Sequence, residues 1–273
     1  MLQLDGPLLL AGAGNMGYAL LAGWLERGFD PSRIVVQDPA PSPRIKERLD
    51  WHGIDVRAEV RSLPEAPAVI LVAVKPQAMD AVFPALAQLA RPKTVVVSVA
   101  AGRRIDGFEA HLAKGTAVVR AMPNTPASVG RGITVAVGNR HLAEAQRETC
   151  DVLLRAVGEV AWVSDENFMD AVTAVSGSGP AYVFYLAECL AAAGVKAGLA
   201  PELAEQLATW TVAGAGELLH RSDLGPQLLR QNVTSPNGTT FAALQVLMAE
   251  GGLSRLMEEA VAAAAMRSRE LAK

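Results

Sequence analysis

The chain has 273 residues, of which 51% are hydrophobic and 19% charged, with a formal net charge of -3. That balance excludes a disordered chain and leaves room for one large core or two smaller ones. The mild acidity gives no electrostatic reason to expect nucleic acid or an anionic membrane as a partner. Taken in chain order, residues 8–11 form a short apolar run that reads as a buried strand. Gly12, Gly14 and Gly17 follow at G-x-G-x-x-G spacing around Ala13, Asn15 and Met16, and a helical pattern runs over residues 18–27. In that setting the first glycine permits a tight turn, the second leaves the backbone open to a pyrophosphate, and the third lets helix and strand pack closely. The amides and dipole at the helix start attract phosphate charge. A glycine-rich turn without a ligand is the plainer alternative, and the strand-to-helix context outweighs it.

Strand and helix patterns then alternate. Residues 33–37 read as a strand, 44–50 as a helix, 68–74 as a strand and 78–89 as a helix. The alternation continues with a strand at 94–99, a helix at 105–112 and a strand at 116–120. Two more strands, 133–137 and 159–163, flank a helix at 142–156. Such alternation implies a parallel sheet with its ligands beyond the carboxyl ends of the strands. After Val163 the strand patterns stop, and Ser164 or Asp165 is a suitable N-cap. Helical patterns occupy 168–175, 181–197, 201–219, 226–231, 240–248 and 253–271. The expected organisation is therefore an α/β dinucleotide-binding domain of the Rossmann-like type over residues 1–164 and an all-helical domain over 165–273. The helices at 181–197 and 201–219 are apolar nearly all round, so a second subunit is expected to cover them.

Several residues stand where chemistry is expected. Asp38 ends the second strand about twenty residues after the glycines, where an acid can accept hydrogen bonds from ribose hydroxyls and favour NAD. A plain turn acid is an equal reading, and Arg44 is near enough to meet a 2′-phosphate, so the choice between NADPH and NADH stays open. Ala73, Val74, Lys75 and Pro76 end the third strong strand, and Ala100 and Ala101 end the fourth with Gly102, where small residues admit a flat nicotinamide ring. Asn124 follows the fifth strand within Met122-Pro123-Asn124-Thr125-Pro126. In the helical half, the loop Ser176-Gly177-Ser178-Gly179-Pro180 breaks the apolar pattern. So does the stretch of Thr234, Ser235, Pro236, Asn237, Gly238, Thr239 and Thr240. This second loop opens a helix and suits a small carboxylate, although Thr239 or Thr240 acting as a simple N-cap is the plainer account.

Other signals are absent. Cys150 and Cys189 lack metal-ligand spacing and are expected to be reduced and buried. The four histidines share no spacing, and no metal site or acyl-transfer triad is legible. The start of the chain carries Asp5 and no basic cluster, so it does not read as a signal peptide, and the longest apolar run, 66–74, is too short to span a bilayer. The expectation is a cytoplasmic protein.

Five of these motifs occur in a recognisable order: Gly12 to Gly17, Ala73 to Pro76, Met122 to Pro126, Ser176 to Tyr182, and Val233 to Thr240. Together they resemble the pyrroline-5-carboxylate reductase family over essentially the whole chain. The resemblance implies reduction of L-1-pyrroline-5-carboxylate to L-proline with NADPH or NADH. It implies that Ser235, Asn237, Gly238, Thr239 and Thr240 hold the substrate carboxylate, with Thr240 orienting or protonating the ring nitrogen and Asp223 and Ser178 close by. It also implies homodimers through the C-terminal helices, assembled in many members into decamers. The chain departs from the family's pattern at Val60, where an asparagine often contacts the ribose, and at Met248, where an acid is usual. The competing readings are a 3-hydroxyacid-type dehydrogenase, which would need a lysine early on the first long helix, and a dinucleotide-sensing protein without turnover.

Overall fold

The structure, a computed structural model, describes residues 4–271. The first half runs β1 (Leu8–Ala11), α1 (Asn15–Glu26), β2 (Ile34–Gln37), α2 (Pro43–Trp51), β3 (Asp55–Arg57), β4 (Val69–Val72), α3 (Met79–Ala87), β5 (Val95–Ser98), α4 (Ile105–Glu109) and β6 (Ala117–Met122). It continues with β7 (Gly132–Gly138), α5 (Glu144–Leu154), β8 (Gly158–Trp162) and α6 (Met169–Val172). The strands form one sheet in the order β3-β2-β1-β4-β5-β6-β7-β8. Its central strands are continuous apolar runs because both faces are covered. Leu8 and Leu10 of β1 point into a core shared with Leu20, Trp24 and Leu153. Leu9 and Ala11 point into the opposite core with Phe83, Leu86 and Phe108. The period-two alternation of a strand thus builds two cores from one four-residue run.

The sheet departs from the all-parallel expectation at one pairing. β7 runs antiparallel to β6, with Met122 opposite Val135. The connector, residues 123–131, holds only a 3₁₀ turn, Thr125–Val129, closed by Gly130 at φ +67. A parallel return would need a crossover of a dozen or more residues. β7 and β8 are parallel again, with α5 between them. The strand β3 went unread because it is three residues long and polar at both ends. The expected helix at 168–175 is one α turn followed by a π turn, Thr173–Gly177. There the Thr173 and Ser176 hydroxyls donate back to the carbonyls of Met169 and Val172, a local competition that loosens helices.

Trp24 anchors α1. Its Nε1 donates to the buried carbonyl of Leu153 over 2.8 Å. Trp24→Phe keeps most of the apolar bulk and strands that carbonyl, so it should cost about 1–3 kcal/mol of stability, read by denaturant unfolding. On another strand, the buried Arg120 places Nη1 2.8 Å from Glu166 Oε1, and the Ile105 amide donates to the same oxygen. Glu166 therefore both neutralises a buried cation and satisfies the first turn of α4. Burial pushes the Cys150 thiol up to about 12, so it stays a neutral core side chain.

The second half contains α7 (Gly179–Lys196), α8 (Pro201–Arg221), α9 (Pro226–Asn232), α10 (Thr239–Leu247) and α11 (Leu253–Leu271). By packing, residues 4–177 with 265–271 form one compact unit and residues 178–264 another. The end of α11 belongs to the nucleotide-type unit: the Ser268 hydroxyl donates to Asp170 Oδ1 over 2.7 Å. In the helical unit, α7 and α8 form a hairpin turned by Gly198 at φ +103, the left-handed conformation that favours glycine at a helix end. A Cβ on Gly194 would lie 3.2 Å from that of Ala204, so the two helices approach closely there. In the single chain α7 buries none of its residues, and α8 buries only Ala204 and Ala208. Phe184 and Trp210 are 62% and 71% exposed. Cys189 lies on this uncovered surface of α7, so the expected pair of buried thiols is corrected to one buried, Cys150, and one exposed.

Candidate active site

The carboxyl ends of β1, β2 and β4 meet at the glycine turn. The ladder continues beyond the strands, with the Gly12 amide donating to Gln37 O and the Ala73 amide to Ala11 O. Gly12 takes φ +93, and a Cβ there would press on the Ala73 carbonyl at 2.7 Å. Gly17 faces the Gly12 carbonyl so closely that a Cβ would overlap it. At Gly14, by contrast, a Cβ would meet nothing within 4 Å. The three glycines thus serve a turn, an open approach and a close packing contact in that order, and the open one sits as N-cap of α1. The amides that begin α1 have no intrahelical acceptor, and this cradle fits a pyrophosphate.

A cleft of about 770 Å³ extends from the cradle. Gly12, Ala13, Gly14, Asn15, Asp38, Ala73, Val74 and Lys75 line it. Asp38 is held firmly: Oδ2 accepts from the Ala13 amide over 2.8 Å and Oδ1 from the Ala40 amide over 2.9 Å. Lys75 and Pro76 begin the turn after β4. Met16 lines a neighbouring groove of about 800 Å³ instead, together with Arg44 and Ser128. Gly17 lies beneath the turn, buried. Ala100 is buried and its amide donates to the Ser98 hydroxyl oxygen, while Ala101 is exposed. Neither lines the cleft as enclosed here. The side chain of Asn124 is committed to the protein: its amide group donates to Ser176 O and accepts from the Ile133 amide. It joins the end of β6, the start of β7 and the 176 loop.

Among the lining residues that sequence reasoning missed are Gln37 and Glu59. The Gln37 side chain is buried and accepts the Val60 amide over 2.7 Å. Val60 itself is buried, so its side chain is packing rather than a ribose contact. Arg61 pairs with Glu59 and holds its carboxyl below the usual range.

In the helical unit, the second loop is closed by a bond from the Gly238 amide to Ser235 O. Asn237, at φ +58, is the described non-glycine residue with positive φ, a conformation asparagine tolerates. Gly238 is the N-cap of α10 and no side chain caps it, so neither Thr239 nor Thr240 serves as the cap. They occupy the first two helical positions, whose amides have no intrahelical acceptor. The Gly238 Cα faces Ser235 Oγ with no room for a Cβ. Thr234 is engaged internally, its hydroxyl donating to Arg230 O. Asp223 is exposed in the turn between α8 and α9, and Ser178 precedes α7 as its N-cap. Where the resembled family usually carries an acid, Met248 offers its sulfur to Arg230 at 2.9 Å. Among the described residues no cluster of histidine, cysteine or carboxylate groups could hold a metal ion, and no helix is long and apolar enough to cross a membrane.

A Rossmann-like unit with an intact glycine cradle, followed by a helical unit, defines a dinucleotide-dependent oxidoreductase. A family model described as "NADP oxidoreductase coenzyme F420-dependent" matches residues 8–102, and one described as "Pyrroline-5-carboxylate reductase dimerisation" matches residues 166–271. The chain is 42% identical to a pyrroline-5-carboxylate reductase from Pseudomonas aeruginosa, over 96% of this chain and 95% of that one. It is 40% identical to one from Synechocystis, over 97% of each. The structure resembles a pyrroline-5-carboxylate reductase from Coxiella burnetii with TM-score 0.89 and 36% identity, covering 98% and 99% of the two chains. It resembles a Plasmodium falciparum pyrroline carboxylate reductase solved with NADP bound with TM-score 0.81 and 27% identity, covering 99% and 100%. The chain belongs to the pyrroline-5-carboxylate reductase family.

Proposed function

We propose that this enzyme reduces L-1-pyrroline-5-carboxylate to L-proline with a reduced nicotinamide dinucleotide, the final step of proline biosynthesis. The observation that carries this reading is the loop before α10: a serine hydroxyl and two helix-start amides without an acceptor among the described residues, beside a glycine N-cap, a donor set that suits a carboxylate. A reduced dinucleotide held by the glycine cradle would supply a hydride to the imine carbon, with the C=N π pair passing to nitrogen. With the imine protonated beforehand, the product is the neutral ring amine and no strong base is needed. Ser235, Thr239 and Thr240 fix the carboxylate by hydroxyl and amide donors, with Asn237 and Gly238 shaping the turn. The Thr240 hydroxyl orients the ring nitrogen. Asp223 and Ser178 complete the substrate's surroundings, and Asn124 keeps the 176 loop in place. Catalysis is then mainly by orientation.

The assay is loss of reduced-dinucleotide absorbance with pyrroline-5-carboxylate, repeated with 3-hydroxyacids and their oxo forms. Turnover with the imine alone supports the reading. Turnover with the hydroxyacid pair alone, or with neither, overturns it in favour of the dehydrogenase or sensor alternative. The lack of a lysine on α7 before Lys196 argues against the hydroxyacid chemistry.

We further propose a cytoplasmic homodimer through the helical unit, assembled into a decamer. The uncovered apolar surfaces of α7 and α8 support the dimer. Trp210→Glu places a charge on that surface and should shift the enzyme to smaller species at micromolar concentration, as followed by light scattering; an unchanged mass would place the interface elsewhere.

A further inference from the structure

We infer that the cleft is built for NADH and discriminates against the 2′-phosphate of NADPH, through the carboxylates of Asp38 and Glu59 flanking the ribose end. The inference rests on the reductase reading and specifies its cofactor.

The strand order places the two acids together. β2 lies between β3 and β1, and β4 lies on the far side of β1. Asp38 follows β2 and Glu59 follows β3 by two residues, whereas Lys75 follows β4. The Asp38 amide donates to Arg57 O, so the chain ends bearing the two acids are stitched side by side. Among the described residues lining the cleft, Lys75 is the cation, and it stands on the opposite flank from the acids. Arg44 lines the neighbouring groove, and Arg61 is occupied by Glu59 at 2.8 Å.

The carboxylate of Asp38 is also the better partner for a diol. Each oxygen accepts one backbone amide and keeps a further lone pair for a ribose hydroxyl. Those amides fix the carboxylate's position, so ordering it costs little when a cofactor arrives. A 2′-phosphate carries a charge of about -2 and would meet the Asp38 carboxylate first, with Glu59 and its partner Arg61 beside it and the lining cation among the described residues, Lys75, on the other flank. Gln37 is a positioning residue here: its side-chain oxygen holds the Val60 amide and hence the adjoining Glu59 against β2.

The test is titration of the full-length enzyme with NADH and NADPH, without substrate, by calorimetry or nucleotide fluorescence. The wild type should bind NADH at least about tenfold more tightly, the size expected for like charges a few ångströms apart at a solvent-facing site. The ratio should shrink as salt rises, since screening weakens repulsion and leaves hydrogen bonds in place. Asp38→Asn keeps an oxygen for the Ala13 amide and removes the charge, and Glu59→Gln does so at an exposed position that does not threaten folding. Each should raise NADPH affinity relative to NADH, the first by about tenfold and the second by about threefold. Equal or tighter NADPH binding in the wild type overturns the inference, as does an unchanged ratio in both variants. Imine reduction that favours NADPH overturns it while leaving the reductase reading standing. Selective NADH binding without imine reduction overturns the reductase reading and leaves the preference.

Discussion

Thr240→Ala should lower kcat by about a hundredfold while leaving the dissociation constant of the reduced dinucleotide where it was. Thr240 occupies the second position of α10, its amide lacks an intrahelical acceptor, and its backbone serves whichever side chain stands there. The variant therefore keeps the proposed carboxylate amides and removes only the hydroxyl proposed to orient the ring nitrogen. An error of about 1 Å in the placement of a reacting centre costs on the order of 10² in rate. Thr240→Ser restores the hydroxyl and should recover most of the loss. Steady-state kinetics with the imine, beside equilibrium binding of the dinucleotide, decide the matter. An unchanged kcat removes Thr240 from the chemistry, and a parallel loss of dinucleotide binding shows general damage instead.

Two substitutions within one motif should fail in opposite ways. Gly14→Val is expected to fold with a melting temperature close to wild type and to lose dinucleotide affinity by about a hundredfold or more. Gly14 has φ -68 and ψ -170, which any residue adopts, and a Cβ meets nothing within 4 Å. The added side chain reaches into the open space proposed for the pyrophosphate. Gly17→Ala instead drives a methyl into the Gly12 carbonyl and to 3.2 Å from the Ala73 Cβ. The turn must open, and the expected cost is about 1–3 kcal/mol of stability, with binding lost as a consequence. Thermal melts and nucleotide titration of both variants separate the two modes. If Gly14→Val bound normally, the cradle would lie elsewhere on the chain.

The parts of this molecule that could be read directly are those whose cause is local. Leu8–Ala11 is apolar at every position because both sheet faces are covered, and the glycine spacing beside it has a meaning independent of the rest. The hydroxyl-rich break at 234–240 was equally visible. Its detail was not: the cap is Gly238 rather than a threonine, because Asn237 at φ +58 turns the chain so that Ser235 faces the glycine. Gln37 and Glu59 were invisible for a different reason. They become neighbours only through the register of β2 against β3, and β3 is too short and too polar to announce itself. The reversal at β7 depended on the length of a connector that reads as a proline turn. Helical apolarity alone does not reveal that Cys189 is exposed: it says that α7 needs cover, and in the single chain that surface is uncovered.

The return of α11 to the first unit makes the helical unit an insertion in the course of the gene. A fragment stopped at residue 177 would omit the hydroxyl of Ser268 that meets Asp170 and the Leu271 backbone lying 3.2 Å from where a Cβ of Gly102 would stand. Cloning the nucleotide half alone therefore calls for a splice that rejoins the chain near 265. A circular permutant opened between 178 and 264 would keep both of those tethers intact.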